Sequence, residues 1–173
     1  MTITESLTSE HTQFCLLFDE IDRLLPDVRT VAEVRLLSRL VQGALSHHAD
    51  VEENLAYAAL DHALAEKGES IRLYQDHHEI DWCLQHARSA KGFTTSLRLL
   101  KAGLKASRAH FRREEETIFP LFEKLFNPAN LEALGIEAPC MVSPLGPHGF
   151  ANALRGRLWK PEHDGWGPKQ HAR

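Results

Sequence analysis

The chain has 173 residues, a net charge of −4 at pH 7, and 43% hydrophobic and 25% charged residues. This length suits a single domain with a sizeable core, and the composition is that of an ordinary globular protein. The slightly negative charge gives no reason to expect binding to nucleic acid or to an anionic membrane surface. No apolar run approaches the ~20 residues that a membrane-spanning helix needs.

The three cysteines are dispersed along the chain and show no paired spacing. An odd, scattered set favours a reducing compartment over a disulfide framework. The first residues, MTITESLTSEH, contain no basic stretch followed by an apolar one, which is the pattern of a secretory signal. The sequence therefore predicts a cytoplasmic protein.

The first two helical segments are marked by apolar residues at helical spacing. One begins near Ile3 and ends at Pro26, which cannot continue a helix. The next begins at Thr30, where Thr30-x-x-Glu33 is the pattern of a capping box, and it ends at Gly68. Two helices joined by a short connection are therefore expected in this part of the chain.

Two further helical segments follow the same pattern. The third ends before Gly92, and the fourth runs to Asn127-Pro128, with a bend expected at Pro120. No alternating pattern typical of a strand occurs in this region. Four helices with short connections predict an all-α, up-down-up-down four-helix bundle over residues 1–126.

The character of the sequence changes after the fourth segment. Residues 127–173 are rich in glycine and proline and show little apolar periodicity. We predict one short helix there, capped by Asn127-Pro128 and ending at Gly135, followed by an irregular tail. This region is expected to be a C-terminal extension and not a second domain.

Histidine and glutamate form two copies of one pattern on the apolar faces of the predicted helices. In the second helix His48 precedes Glu52 by four residues, and in the fourth helix His110 precedes Glu114 by the same spacing. Side chains at this spacing share one side of a helix, about 6 Å apart along its axis, so both can reach one point. The stretches HADVEENLAY and HFRREEETIF align on their histidines.

The first and third helices also match each other, because Glu10-His11 corresponds to Asp76-His77. The apolar residues after His77 match those after His11, which favours His77 over the neighbouring His78 as the site residue. Counting residues from the helix ends places the histidines of each helix pair at one level. The chain is therefore interpreted as an internal duplication of a helix pair, with one histidine in every helix.

Buried imidazoles and carboxylates are costly unless a cation offsets their desolvation. Nitrogen and carboxylate ligands together suit iron, manganese or zinc, and two bridging carboxylates favour a two-metal centre. The alternative is that these histidines are core residues with ordinary hydrogen-bond partners, but their repetition in every helix favours a metal. The expected ligands are the histidines and glutamates of the repeated pattern: His11, His48, Glu52, His77, His110 and Glu114.

These residues resemble the hemerythrin-like family, also known as HHE cation-binding domains. The resemblance covers about residues 8–126 and is carried by EH at 10–11, HADVEE at 48–53, DHHEI at 76–80 and HFRREEETIFP at 110–120. It implies a four-helix bundle around a non-haem di-iron site that binds dioxygen or a related small molecule. Carried over by position, it implies the same six ligands.

The resemblance is incomplete at one position. Hemerythrins proper have a further histidine one turn before the ligand of the third helix, where this chain has Leu73. Tyr74 is a candidate substitute ligand, although a core aromatic with its hydroxyl at the rim is the simpler interpretation.

Three functional hypotheses follow. The leading one is a carrier, sensor or store that binds dioxygen or a related small molecule at two iron ions, or at another divalent metal. The second is a di-iron enzyme acting on peroxide or nitric oxide, because one histidine fewer leaves a more open site. The third is a metal-free helical module that binds an anionic partner through the basic stripe of the fourth helix: Arg98, Lys101, Lys105, Arg108 and Arg112.

Overall fold

The computed structural model describes residues 1–64 and 68–137. The elements in these ranges are helical and include no strand, so the predicted all-α class is confirmed. The α-helices are α1 (Ile3–Leu24), α2 (Val31–Val51), α3 (Ala58–Ala63), α4 (Gly68–Ser89), α5 (Phe93–Arg113), α6 (Phe119–Leu125) and α7 (Pro128–Glu137). Two π-helical turns, Glu52–Tyr57 and Glu114–Ile118, join α2 to α3 and α5 to α6 without a break. Five continuous helical rods result in the described ranges, because α7 adds to the four predicted for the bundle.

The helix starts follow from local sequence. Both α1 and α2 begin with a capping box, in which the hydroxyl of Thr2 or Thr30 accepts from the backbone of Glu5 or Glu33. The glutamate carboxylate in turn accepts from the threonine backbone N–H. The capping box predicted at Thr30 is therefore present. In contrast, α5 begins after Gly92 without a hydrogen bond from a capping side chain.

The long helices pack antiparallel to their neighbours, as α2 and α4 illustrate. Arg35, near the start of α2, donates to the carbonyl of Ala90, just beyond the end of α4. Gln42, two turns further along α2, donates to Asp81 inside α4. Residue numbers rise along one helix as they fall along the other, so the two chain directions are opposite.

The short helix α7 packs against the start of α1. Leu131 is buried in one hydrophobic cluster with Ile3 and Leu7. A Cβ atom placed on Gly135 would lie 2.5 Å from the carbonyl oxygen of Met1, so a glycine is needed for this close approach. The short helix expected after the fourth segment is therefore present and covers one end of the core.

That helix ends at Glu137, two residues later than Gly135, which was predicted to end it. The irregular tail predicted beyond it lies outside the described residues. The division of the chain into residues 1–126 and 127–173 stays a prediction.

The cluster that α7 covers lies directly beside the repeated histidines. Its buried members come from α1, from the two π turns and the helices that follow them, from α4 and from α7: Ile3, Leu7, Ala56, Tyr57, Leu60, Leu73, Ile118, Phe119, Phe122 and Leu131. Leu73, the residue at the position of the expected additional histidine, is fully buried there. This position therefore contributes to the apolar core.

Candidate metal centre

The six residues predicted as ligands meet in one buried cluster, to which each long helix contributes one histidine. The side chains of five of them are between 0% and 3% exposed, and that of His77 is 11% exposed. His78, the alternative to His77, is exposed to solvent. The structure thus brings together the whole predicted set: His11, His48, Glu52, His77, His110 and Glu114.

Each of the two glutamates is the first residue of a π turn. A π turn accommodates one extra residue and thereby changes which later side chains share a face with the residues before it. In a regular α-helix, residues nine apart point about 180° away from each other. One extra residue in the turn reduces this angle to roughly 80°, so Tyr57 and Phe119 return towards the histidines that precede them by nine residues.

The first half of the cluster consists of His11 and His48 with one oxygen of Glu52. The two Nε2 atoms lie 3.0 Å apart. Oε1 of Glu52 is 3.0 Å from Nε2 of His48 and 3.5 Å from that of His11. One ligand atom from each of these three residues therefore faces the same small space.

The second half repeats this arrangement with His77 and His110. Their Nε2 atoms lie 2.9 Å apart, and Oε2 of Glu52 is 3.1 Å from Nε2 of His77. Glu52 therefore presents one carboxylate oxygen to each half. Oε2 of Glu114 lies between the halves, 3.4 Å from Nε2 of His11 and 3.3 Å from Nε2 of His110.

This donor set fits metal ions. Within the described residues, Oε2 of Glu52 and Oε2 of Glu114 are buried and have no hydrogen-bond partner, a costly state that a cation would relieve. Ligand atoms about 2.1 Å from one ion stand about 3 Å apart when their bonds are perpendicular. In each half the two Nε2 atoms and one histidine–Glu52 pair lie 2.9–3.1 Å apart, which matches this spacing, and the remaining histidine–Glu52 distances are 3.5 Å for His11 and 3.8 Å for His110.

The outer nitrogen of every imidazole faces a carboxylate from another helical segment. Nδ1 of His11 is hydrogen-bonded to Glu115 at 2.9 Å, that of His48 to Glu10 at 2.7 Å, and that of His77 to Glu53 at 2.7 Å. Nδ1 of His110 lies 3.6 Å from Asp76, beyond hydrogen-bond distance, and has no hydrogen-bond partner among the described residues. Donation from Nδ1–H to a carboxylate leaves the Nε2 lone pair directed into the cluster, as metal-bound histidines require. Asp76, the most distant of the four, also forms ion pairs with Arg72 and Arg113.

The chain matches the family model described as the Hemerythrin HHE cation binding domain over residues 2–122. The chain belongs to this family. No curated protein and no solved structure shows significant similarity to it. Among the residues that the structure describes, no helix of this hemerythrin-like domain is long and apolar enough to cross a membrane.

The carboxylates of the hemerythrin-like centre also control the protonation of its histidines. Burial alone would lower the pKa of His48, but the charge of Glu52 and hydrogen bonds to Glu10 and Glu52 raise it to about 9. Burial would raise the pKa of Glu52, but the charge of His48 and hydrogen bonds from neighbouring imidazoles hold it well below its usual range. Without a cation, the cluster therefore keeps protons on imidazoles as its counter-charge, and metal binding would displace them.

Sequence reasoning missed one polar group in the centre, the hydroxyl of Tyr57. It donates to Oε1 of Glu114 at 2.6 Å and lies 3.3 Å from Nε2 of His77 and 3.5 Å from Nε2 of His110. The ring of Tyr74, the tyrosine singled out from the sequence, packs edge-on against Tyr57 with the ring centroids 5.4 Å apart. Nothing in the helical periodicity indicated Tyr57, because only the π turn brings it to the site.

Phenylalanine rings enclose the first half of the centre. Phe111 stacks on His11 with the ring centroids 4.1 Å apart, and Phe119 lies parallel to the same imidazole at 5.6 Å. Phe14 meets His48 edge-on at 5.0 Å. This wall shields the first half from solvent, since His11 and His48 are buried, and it packs against both imidazoles.

Proposed function

We propose that this domain holds two iron ions inside an antiparallel four-helix bundle and binds dioxygen or a related small molecule there, as a carrier, sensor or store. The observation that most directly supports this proposal is the position of Glu52, which presents one oxygen to each of two histidine pairs. A carboxylate placed in this way is suited to bridge two ions. The cytoplasmic location stays a prediction from the cysteine pattern.

The residues have separable roles in this proposal. The four histidines would be terminal ligands, and Glu52 and Glu114 would bridge the two positions. Imidazole and carboxylate donors suit iron, and both candidate groups in the described residues lack the soft thiolate ligands that select other metals. Iron, when bound, supplies the reversible electron exchange that dioxygen binding needs.

The walls of the centre favour a small apolar molecule. Phe14, Phe111 and Phe119 exclude water from the first half, where charged or strongly hydrated molecules would lose their hydration without replacement. Dioxygen has no such hydration to lose.

The basic stripe gives less support to a metal-free interaction module. Its Arg108 donates to Asp19 and Asp22 of α1, so part of the stripe is already paired within the chain. The burial of three imidazoles and two carboxylates, with a fourth imidazole only 11% exposed, is also unexplained by a role on the surface.

The proposal is tested by loading metal-free protein with ferrous iron under anaerobic conditions and measuring iron per chain and visible spectra before and after exposure to air. We expect two irons per chain and an absorption band that appears with oxygen and disappears on its removal. In Glu52→Gln the iron content is expected to fall below one per chain, because the amide lacks the negative charge that the Glu52 carboxylate presents to both histidine pairs. Glu116→Gln, an exposed change two residues from Glu114, is the matched control and keeps both irons.

Two other outcomes would overturn this function. Iron binding followed by turnover of added peroxide or nitric oxide, with no reversible band, would replace the binder with a di-iron enzyme. A wild-type chain that binds no metal, with stability unchanged by replacement of His48 and His110, would leave only the helical module.

A further inference from the structure

Tyr57 and Phe119 occupy equivalent positions in the two copies of the duplicated helix pair. Each follows the histidine of its own copy by nine residues, and each is brought to the centre by a π turn. The ring of Phe119 lies 5.6 Å from that of His11, and the ring of Tyr57 lies 5.5 Å from that of His77, between centroids. At this position the two halves of the centre differ by a single hydroxyl group.

That hydroxyl stands where a ligand of the second half would stand. Its distances of 2.6 Å to Glu114, 3.3 Å to His77 and 3.5 Å to His110 bracket the spacing of about 3 Å between neighbouring ligands of one ion. Tyr57 is fully buried, so its oxygen does not contact solvent, and the hydrogen bonds that the described residues offer it come from these three side chains. The equivalent position in the first half offers only a phenyl ring.

We propose that the phenolic oxygen of Tyr57 is a ligand of the ion held by His77 and His110, and that the two metal positions are therefore chemically different. This inference rests on the proposed function, because it needs a metal in the second half. On binding, the hydroxyl proton leaves to solvent, the O–H bond is replaced by an oxygen–metal bond, and the second half gains one negative charge. The tyrosine supplies the ligand that Leu73 cannot supply.

A purely structural role for Tyr57 makes a different prediction. A hydroxyl that only donates to Glu114 would orient this carboxylate, and its loss would change affinity without adding any optical property of its own. A phenolate bound to ferric iron instead produces a broad charge-transfer band in the visible range, together with phenolate ring vibrations in the resonance Raman spectrum. Spectroscopy of the ferric protein therefore separates the two roles.

The experiment compares the full-length wild type, Tyr57→Phe and Tyr74→Phe after loading with ferric iron, with iron per chain measured on the same samples. The chain contains two tyrosines, so Tyr74→Phe leaves Tyr57 as its only phenol. We expect the phenolate vibrations in the wild type and in Tyr74→Phe, and their complete loss in Tyr57→Phe. Because Tyr74→Phe already assigns the signal, the test is decisive even where Tyr57→Phe does not fold.

The inference is overturned by wild-type protein that holds two irons without phenolate vibrations, or by vibrations that persist in Tyr57→Phe. Either result would leave the proposed function intact. A wild type that binds no iron would overturn both. As a converse variant, Phe119→Tyr places a hydroxyl at the equivalent position of the first half and is expected to increase the intensity of the phenolate bands.

Discussion

The two halves of the centre are built on one repeated pattern but have different surroundings. In the first half, His11 and His48 lie among phenylalanine rings and are 1% and 3% exposed. In the second half, His110 is also 1% exposed, but His77 is 11% exposed and its ring faces a tyrosine hydroxyl. Duplication of the helix pair thus places equivalent nitrogen ligands, while the side chains around them give one half an apolar wall and the other a polar oxygen.

This comparison also shows what joins the halves. Glu52 comes within 4 Å of all four histidines, whereas Glu114 comes that close to one histidine of each half and uses its other oxygen to accept from Tyr57. The two copies of the His-x-x-x-Glu motif are therefore not equivalent in the folded chain. One glutamate is shared evenly, and the other is drawn towards the second half.

The largest expected effect comes from removing one half at a time. His11→Asn with His48→Asn removes the nitrogen ligands of the first half, and His77→Asn with His110→Asn removes those of the second. Each double variant is expected to bind one iron per chain, because the remaining histidine pair and Glu52 still supply three ligands. Iron content after anaerobic loading measures this. A double variant that still binds two irons would contradict the assignment of that half.

A smaller effect is expected from the carboxylates behind the histidines. Glu10→Ala leaves Nδ1 of His48 without its acceptor, and Glu53→Ala does the same to His77. Loss of such a partner typically lowers metal affinity by about 10- to 100-fold. Competition with a chelator measures the affinity, and Glu20→Ala, an exposed change on α1, serves as the control. Affinities equal to that of the control would show that these carboxylates do not orient the ligands.

The smallest effects concern the helices that carry the His-x-x-x-Glu motifs. Because Thr30 caps α2 and Gly92 leaves α5 without a side-chain cap, Thr30→Ala should lower the free energy of unfolding by about 1 kcal/mol. Gly92→Ser should raise it by a few tenths of a kcal/mol, since a Cβ at Gly92 meets no atom within 4 Å. Urea denaturation of the metal-free variants measures both changes. An unchanged free energy of unfolding in Thr30→Ala, or a decrease in Gly92→Ser, would contradict the difference in capping.

Much of the fold followed from spacing alone. Apolar periodicity located the long helices, and the threonine capping pattern located the start of α2 at Thr30. The convergence of His48 with Glu52 and of His110 with Glu114 was also predictable, because residues four apart on a helix share a face. His11 and His77 were predicted from the repeat of the helix pair. The packing of α7 against α1 did not follow from spacing. It depends on contacts between distant parts of the chain, such as Leu131 with Ile3.

The position of Tyr57 was not predictable in this way. Its distance of nine residues from His48 places it on the opposite side of a regular helix. No proline common to both stretches marked the π turns, because Pro120 follows the second turn and Ala58 stands at the equivalent position after the first. The pairing of the outer carboxylates was equally hidden. Glu53 lies beside Glu52 in sequence, yet it accepts from His77 on another helix.

The sequence by itself determined the helical class, the repeated pattern and the residue types that can hold a cation, because these depend on periodicity within single helices. Only the tertiary structure decided which oxygen of Glu52 faces which half, which carboxylate supports each imidazole, and which tyrosine enters the centre. Those relations depend on the relative rotation and height of neighbouring helices. They are set by packing between helices and by two local π turns, and no spacing along a single helix encodes them.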